Sequence, residues 1–385
     1  MNPMCFSAQP PAWRGRRERA EMVLQRDGPG GLARVLPRQG GSRKRAWGTQ
    51  QGVQGVTKAL RIHEIGGPEV FVWEEVELDP PGPGEARLRH TAIGVNFVDT
   101  YHRGGVPHPW PLPPLPAIIG LEGVGVVETV GPEVIEVEPG DRVAYAMPPL
   151  GAYCQARNIP SRRLIKVPEK IDDVQVAGMM LKGLTAQYLL RQTYRVQAGD
   201  TVLIHAAAGG MGLILCQWAK HLGATVIGTV GNDAKAEQAR AHGCDHPIVY
   251  TREDFLPKVR ELTGGKGVPV VYESVGKDTF KQSMDCLRPL GILASYGHAS
   301  GPPPPVDVIE LGAKGALFVT RPTIMAYMAR REELLACAAE LFEVVLSGAV
   351  KIEVNQTYPL KDGTEAHRAI GERRTTGSTV LLPDG

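Results

Sequence analysis

The 385-residue chain has no two cysteines at C-x-x-C spacing. Its six cysteines (Cys5, Cys154, Cys216, Cys244, Cys286 and Cys337) are scattered, which argues against a zinc knuckle and a disulfide scaffold. A reducing, cytoplasmic setting is the default that follows. No apolar run approaches about 18 residues, so no membrane span is expected. Charge of one sign is scarce too, with a formal net of only +2. That balance is uneven. Residues 1–57 hold ten Lys/Arg against three Asp/Glu, and the remainder is mildly acidic, without a polyanion-binding face.

Residues 1–57 also lack a sustained apolar period. Rich in Arg, Gly, Gln and Pro, they cannot bury enough surface to offset their chain entropy, and a disordered basic leader is expected there. Arg16-Arg17 has no apolar core behind it, which excludes a twin-arginine export signal. A transit peptide or a nucleic-acid arm would suit the Arg-rich, acid-poor composition. One Phe and two Trp without aromatic–basic interleaving give base stacking little support.

What is present divides into two textures. From Lys58 to about Lys170, short strand-like runs (58–63, 71–76, 85–93, 123–130, 142–146) are separated by Gly/Pro punctuation. The four prolines of 111–116 predict an extended surface loop. From Val174 a helical pattern runs to Gln192, interrupted by Gly183. Strands and helices then alternate: strands at 201–205, 225–230, 247–250, 268–274, 292–296 and 317–320, helices at 211–222, 233–242, 253–263 and 278–287. Such alternation predicts an α/β fold, a parallel sheet covered on both faces. A further helix at 332–346 and a strand at 379–382 follow. Alone, that tail would be a marginal fragment, so it is expected to return to the first, β-rich part.

The junction at 199–220 carries the chemistry. A short strand ends in Ala206-Ala207-Ala208, then Gly209-Gly210-Met211-Gly212, then a helix. A strand turning through small residues into a helix aims bare N–H groups and the helix dipole at an anion, most naturally a pyrophosphate. Ala206, Gly209 and Gly212 fall as A-x-x-G-x-x-G, a relative of the dinucleotide fingerprint, although a tight packing turn would look alike. The second strand ends Val230-Gly231 without the acid that binds the ribose of NAD, and Lys235 lies close behind. A missing acid with a nearby cation favours the 2′-phosphate of NADPH. By itself Lys235 reads equally as a solvated lysine in a first helical turn.

These residues, together with Gly94-Val95-Asn96-Phe97-Val98-Asp99-Thr100-Tyr101, Leu181-Lys182-Gly183-Leu184-Thr185 and Tyr272-Glu273-Ser274-Val275-Gly276, resemble the quinone oxidoreductase/ζ-crystallin family. This is a zinc-free branch of the medium-chain dehydrogenase/reductase superfamily. The resemblance covers about residues 58–385 and implies a Rossmann doubly wound parallel sheet plus a GroES-like β-rich catalytic domain, usually as a homodimer. It divides the chain into a leader (1–57), a catalytic domain (58–180), an NADPH-binding domain (181–322) and a returning segment (323–385). By position it implies that Asn96, Asp99, Tyr101 and Tyr188 surround the nicotinamide and substrate. Gly210, Met211, Gly231, Lys235, Tyr250, Tyr296, Val319, Arg321 and Arg374 would join Ala206, Gly209 and Gly212 at the cofactor. Two departures are local: His298 stands where a smaller polar residue is expected, and the tail after Arg374 is one residue short.

Zinc-dependent cousins place Cys near the first catalytic loop and His in a Gly-His-Glu motif. Here the loop reads Asn96-Phe97-Val98-Asp99 and the motif Gly120-Leu121-Glu122, so no metal is expected. His102 and His108 are read as surface histidines. The resemblance implies an NADPH-dependent quinone reductase. The alternatives are an NADPH-dependent enoyl or alkenal reductase, and a non-catalytic RNA-binding or structural role. Tyr101 is the candidate hydrogen-bond donor to the substrate oxygen or else an aromatic wall, and Asp99 is expected to hold that loop or a helix start as an N-terminal cap.

Overall fold

A computed structural model of the chain describes residues 55–106 and 111–384. Up to residue 54 the expected leader lies outside these, as do Cys5 and His108. Residues 55–57, assigned to the leader from sequence, belong instead to the strand Gly55–Ile62, which pairs antiparallel with Phe71–Leu78 from Gly55↔Leu78 to Ile62↔Phe71.

The β-rich part centres on the long strand Glu85–Val95. It pairs with Glu122–Val130 along one edge and with Ala156–Pro160 and Ser378–Leu382 along the other. The tail therefore does return. Ser378–Leu382 aligns Thr379 with Val95 and Leu381 with Ile93, and Val354–Pro359 pairs beside it in parallel. One helix, Phe97–Gly104, breaks the β texture. Asn96 caps it, and the Asp99 carboxylate at the third helical position accepts the Asn96 N–H at 2.9 Å. The expected capping role of Asp99 is thus played from inside the first turn.

The second part is the parallel sheet. Its six strands lie in the order His246–Val249, Thr225–Val230, Thr201–Ile204, Val268–Glu273, Leu287–Ser295, Phe318–Thr320. The order reverses at Thr201–Ile204, which makes a crevice at the strands' C-terminal ends. Helices Gly210–His221, Asp233–Ala241, Phe255–Leu262 and Phe280–Asp285 connect the strands. Asn232 and Asp254 cap two of these helices by accepting the N–H groups of Lys235 and Leu256.

Helix Asp173–Tyr188 joins the two parts. It is capped by Asp172, which accepts the Gln175 N–H at 2.9 Å, and continues as a π turn over Leu189–Thr193. Gly183 does not interrupt it, contrary to the sequence reading. A Cβ there would lie 2.4 Å from Leu341 of helix Arg331–Leu346, so the glycine lets two helices approach rather than breaking one. Leu121 and Val124, Leu181 and Leu184, and Ile204 and Val226 share one buried core. Both sheets and the joining helix are thereby held in a fixed relation. Among the described residues no helix is long and apolar enough to cross a membrane.

Candidate active site

A cleft of about 1080 Å³ opens between the parallel sheet and the β-rich part. Ala206, Gly209, Gly210, Met211, Gly212, Gly231, Lys235, Tyr250, Tyr296 and Arg321 line it from one side, Asn96, Tyr101 and Tyr188 from the other. Three expected residues are not on its surface. Asp99 is fully buried behind it, Val319 packs into the sheet core, and Arg374 pairs with Glu372 at 2.6 Å while its neighbour Arg373 lines the cleft.

The phosphate turn follows from its residues. Ala206 has φ 53°, a left-handed conformation that costs an alanine about 1 kcal/mol. It lets the chain fold back so that Gly209 N–H donates to Ala206 C=O at 3.0 Å, and the helix begins at Gly210. A Cβ on Gly212 would sit 2.3 Å from the Ala206 oxygen and 2.7 Å from Ala207 backbone, whereas one on Gly209 would meet only Ala206 oxygen at 3.4 Å. The last glycine thus permits close packing of helix on strand, and the first leaves the turn open above the helix N-terminus. These residues fit a dinucleotide pyrophosphate.

At the far end, Lys235 Nζ donates to the Arg373 carbonyl at 2.9 Å. Burial, with the Arg373 charge beside it, holds the Lys235 amine below its ordinary pKa. Tyr250 stands opposite Gly231, where a side chain would meet its hydroxyl. Sequence reasoning missed Arg252 and Arg373, which also line the cleft. Arg252 forms a two-pronged pair with Asp233, the first acid after Gly231, at 2.8 and 2.6 Å. Its position two residues beyond Tyr250 was the available signal; for Arg373 the signal was the one-residue shortfall of the tail, which shifts the expected Arg374 contact to its neighbour.

On the opposite wall, Tyr101 stacks on His298 (centroids 4.2 Å apart, 10° between planes), and its hydroxyl accepts the His298 N–H at 3.2 Å. Burial pushes the Tyr101 phenol up to about 12, so it stays protonated and can donate. The unexpected imidazole at 298 therefore braces Tyr101. Arg321 clamps the same corner, donating to Ser295 C=O at 2.9 Å and to His298 Nδ1 at 3.2 Å. Tyr188 stacks on Tyr327 with centroids 4.7 Å apart. His102, read as a surface residue, is buried in the Phe97–Gly104 helix.

Behind this wall runs a polar network that sequence reasoning did not find. Glu122, fully buried, accepts from Asn96 Nδ2 at 2.7 Å, from Lys182 Nζ at 3.2 Å and from Leu181 N–H at 2.6 Å. Tyr153 donates to Asp99 Oδ2 at 2.8 Å and meets His367 Nε2 at 2.9 Å. Arg103 donates to His367 Nδ1 at 2.9 Å, which assigns the imidazole proton to Nε2 and makes it the donor to Tyr153. Burial, with the Arg103 charge nearby, drives His367 down to about 3, so it is neutral. Burial raises Asp99 to about 7 against the opposing Asn96 and Tyr153 hydrogen bonds. The members come from positions 96 to 367, and only a folded chain brings them together.

The residues do not fit a catalytic zinc. Asn96 offers an amide, Leu121 an alkyl group, and the third side chain of this corner is the ammonium of Lys182, paired with Glu122. Among the described residues no group of three His, Cys, Asp or Glu could hold a metal ion.

Comparison with known proteins agrees with this architecture. The family described as alcohol dehydrogenase GroES-like domain matches residues 82–198, and the one described as zinc-binding dehydrogenase matches 210–343. The chain is 56% identical over 328 residues to a 2-haloacrylate reductase of a Burkholderia species, covering 84% of this chain and 98% of the relative. It is 50% identical over 328 residues to a quinone oxidoreductase of Pseudomonas aeruginosa, covering 85% and 100%. The crystal structure of Escherichia coli quinone oxidoreductase complexed with NADPH matches with a TM-score of 0.80 at 45% identity, over 85% of this chain and 100% of that one.

Proposed function

The chain belongs to the quinone oxidoreductases of the medium-chain dehydrogenase/reductase superfamily, and from that premise we propose that it uses NADPH to reduce quinones without a metal. One observation carries the reading. A single cleft joins a dinucleotide turn and a cationic ribose end to a polar wall whose donor set suits no zinc.

Bound NADPH supplies a hydride from its nicotinamide. The protein does the rest. The turn at 206–212 holds the pyrophosphate, and Lys235, Tyr250, Arg252 and Arg373 receive the 2′-phosphate. Tyr296 and Arg321 bound the nicotinamide end, and Asn96 and Tyr188 form the opposing wall. Tyr101 donates its hydroxyl hydrogen to an acceptor oxygen. Proximity and orientation supply most of the rate. A quinone is electron-poor and its reduced form is a comparatively weak base, so it needs no Lewis acid. The homodimer and the cytoplasmic setting remain part of the reading on the strength of the family alone.

A second reading has its own support. The relative at 56% identity is a 2-haloacrylate reductase, so an electron-poor alkene could occupy the same place. Both substrates are conjugated acceptors. A steady-state panel of 1,4-benzoquinone, naphthoquinones and α,β-unsaturated carbonyls, run with NADPH and NADH on metal-stripped enzyme, separates the two. Quinone turnover with NADPH preferred is expected. Enones outpacing quinones by orders of magnitude would replace the first reading by the second.

A further inference from the structure

Lys182 carries the strongest observation that the mechanism above leaves unused. Its side chain is only 11% exposed, and that exposure is to the cleft, which it lines beside Asn96 and Thr185. An ammonium has three N–H donors. One reaches Val95 C=O at 3.3 Å and one Glu122 Oε1 at 3.2 Å. For the third, no described residue offers an acceptor.

The setting is costly to build. Glu122 lies beneath the wall with no exposure at all, and three donors hold it. A Cβ on Gly94 would fall 2.1 Å from the Ala177 carbonyl oxygen and 2.2 Å from Glu122 Oε1, so the glycine of the neighbouring strand admits both the joining helix and the carboxylate. A buried ion pair is a poor source of stability, since well-packed apolar residues of similar volume often do as well or better. The arrangement makes sense if the product is the ammonium itself, held at the cleft wall by a carboxylate the substrate cannot reach. Fixed charge of this kind, aimed where negative charge develops, is among the larger catalytic effects available to an enzyme.

We propose that Lys182 is a further catalytic residue, whose third N–H donates to the oxygen of the conjugated acceptor and stabilises the negative charge that forms there. The inference rests on the reductase reading above. In the step it serves, the C–H bond of the dihydronicotinamide breaks and its hydrogen and electron pair form a new bond at the acceptor. The nicotinamide is oxidised by two electrons. The acceptor is reduced, its π electrons move onto the conjugated oxygen, and the resulting anion takes one proton from solvent. Tyr101 and Lys182 are then two donors of different kind, a neutral hydroxyl and a cation.

The role makes a split between substrates. A neutral quinone acquires charge only as reaction proceeds, so losing Lys182 should lower kcat with little change in KM. An α,β-unsaturated carboxylate is charged from the outset, so KM should rise as well. The test compares wild type with Lys182→Met, and with Lys182→Met/Glu122→Gln, which removes both charges together and leaves neither buried alone. The substrates are 1,4-benzoquinone and 2-chloroacrylate, and NADPH binding is measured separately by its fluorescence. Expected in either variant is a fall of about 100-fold in kcat for the quinone with KM within about threefold. For 2-chloroacrylate KM should also rise at least about tenfold, with NADPH affinity held within about twofold. The proposal is overturned if kcat for the quinone stays within about threefold of wild type. It is equally overturned if NADPH affinity falls in step with kcat, which would make Lys182 a structural residue of the cofactor site. Wild-type enzyme that reduces neither compound would overturn the reductase reading itself, and this inference with it.

Discussion

The two walls of the cleft are built on opposite principles. The nucleotide wall is local. Its turn lies within residues 206–212, its cationic end begins within the next 30 residues, and its shape is set by backbone geometry. The substrate wall is assembled from positions 96, 99, 122, 153, 182 and 367, linked by buried side-chain hydrogen bonds. A helix N-terminus needs only a strand, a small turn and a helix in succession. A buried carboxylate needs donors on several sides at once, and no single segment can supply them. The cofactor wall can therefore be disabled by one backbone clash, whereas the substrate wall is tuned by charge.

The largest expected effect probes the local wall. Gly212→Val would drive a branched side chain into the Ala206 oxygen and Ala207 backbone, 2.3 and 2.7 Å from its Cβ. Neither neighbour is a flexible side chain that could swing away, so the turn itself must move. NADPH affinity, followed by fluorescence titration, should fall by about 100-fold or more, since the phosphate-facing N–H groups lose their alignment. Near-normal binding would mean that the turn is a packing device and that the cofactor is held elsewhere.

The next effect is smaller and selective. Lys235→Ala removes a cation from the ribose end and should raise KM for NADPH about 10- to 100-fold, the worth of one charged hydrogen bond, with NADH little changed. Equal effects on the two cofactors would show that Lys235 does not read the 2′-phosphate. Arg252 and Arg373 bear on the size of the change, because either could take over part of the contact.

These two variants also mark what could be read before the structure. Strand–helix alternation gave the parallel sheet, and the Ala206–Gly212 spacing gave the tight turn from strand into helix, because both are set by residues adjacent in sequence. For the helix Phe97–Gly104 only a capped start at Asp99 was legible, not its extent, because Gly/Pro-punctuated strands surround it. Gly183 was misread because a glycine that breaks a helix and one that admits Leu341 are identical in sequence. His102 was placed on the surface by its Pro/Gly neighbours, yet it is buried on the helix Phe97–Gly104. Arg373 and His367 reach the site from the tail, more than 100 residues beyond the phosphate turn, and only the pairing of Ser378–Leu382 with Glu85–Val95 brings that segment home.

The last test probes the long-range wall through Asp99, in stability rather than in binding, and its sign follows from burial. In the unfolded chain its carboxyl ionises near 3.8, and in the fold near 7, so between these values the native state holds a proton that the unfolded state has lost. Native stability therefore falls as pH rises from about 4 to about 7, and then levels. Asp99→Asn cannot ionise, yet its amide oxygen can still accept from Asn96 N–H and Tyr153. Relative to wild type it should gain stability across that window, by an amount on the order of a few kcal/mol for a shift of this size. Asp141 and Asp245, whose carboxyls lie below their ordinary values, give slopes of the opposite sign, but these are common to both proteins and cancel in the difference. Urea unfolding of both at pH 5, 6, 7 and 8 measures it. Parallel curves would mean that Asp99 keeps its charge in the fold and that burial does not set its protonation.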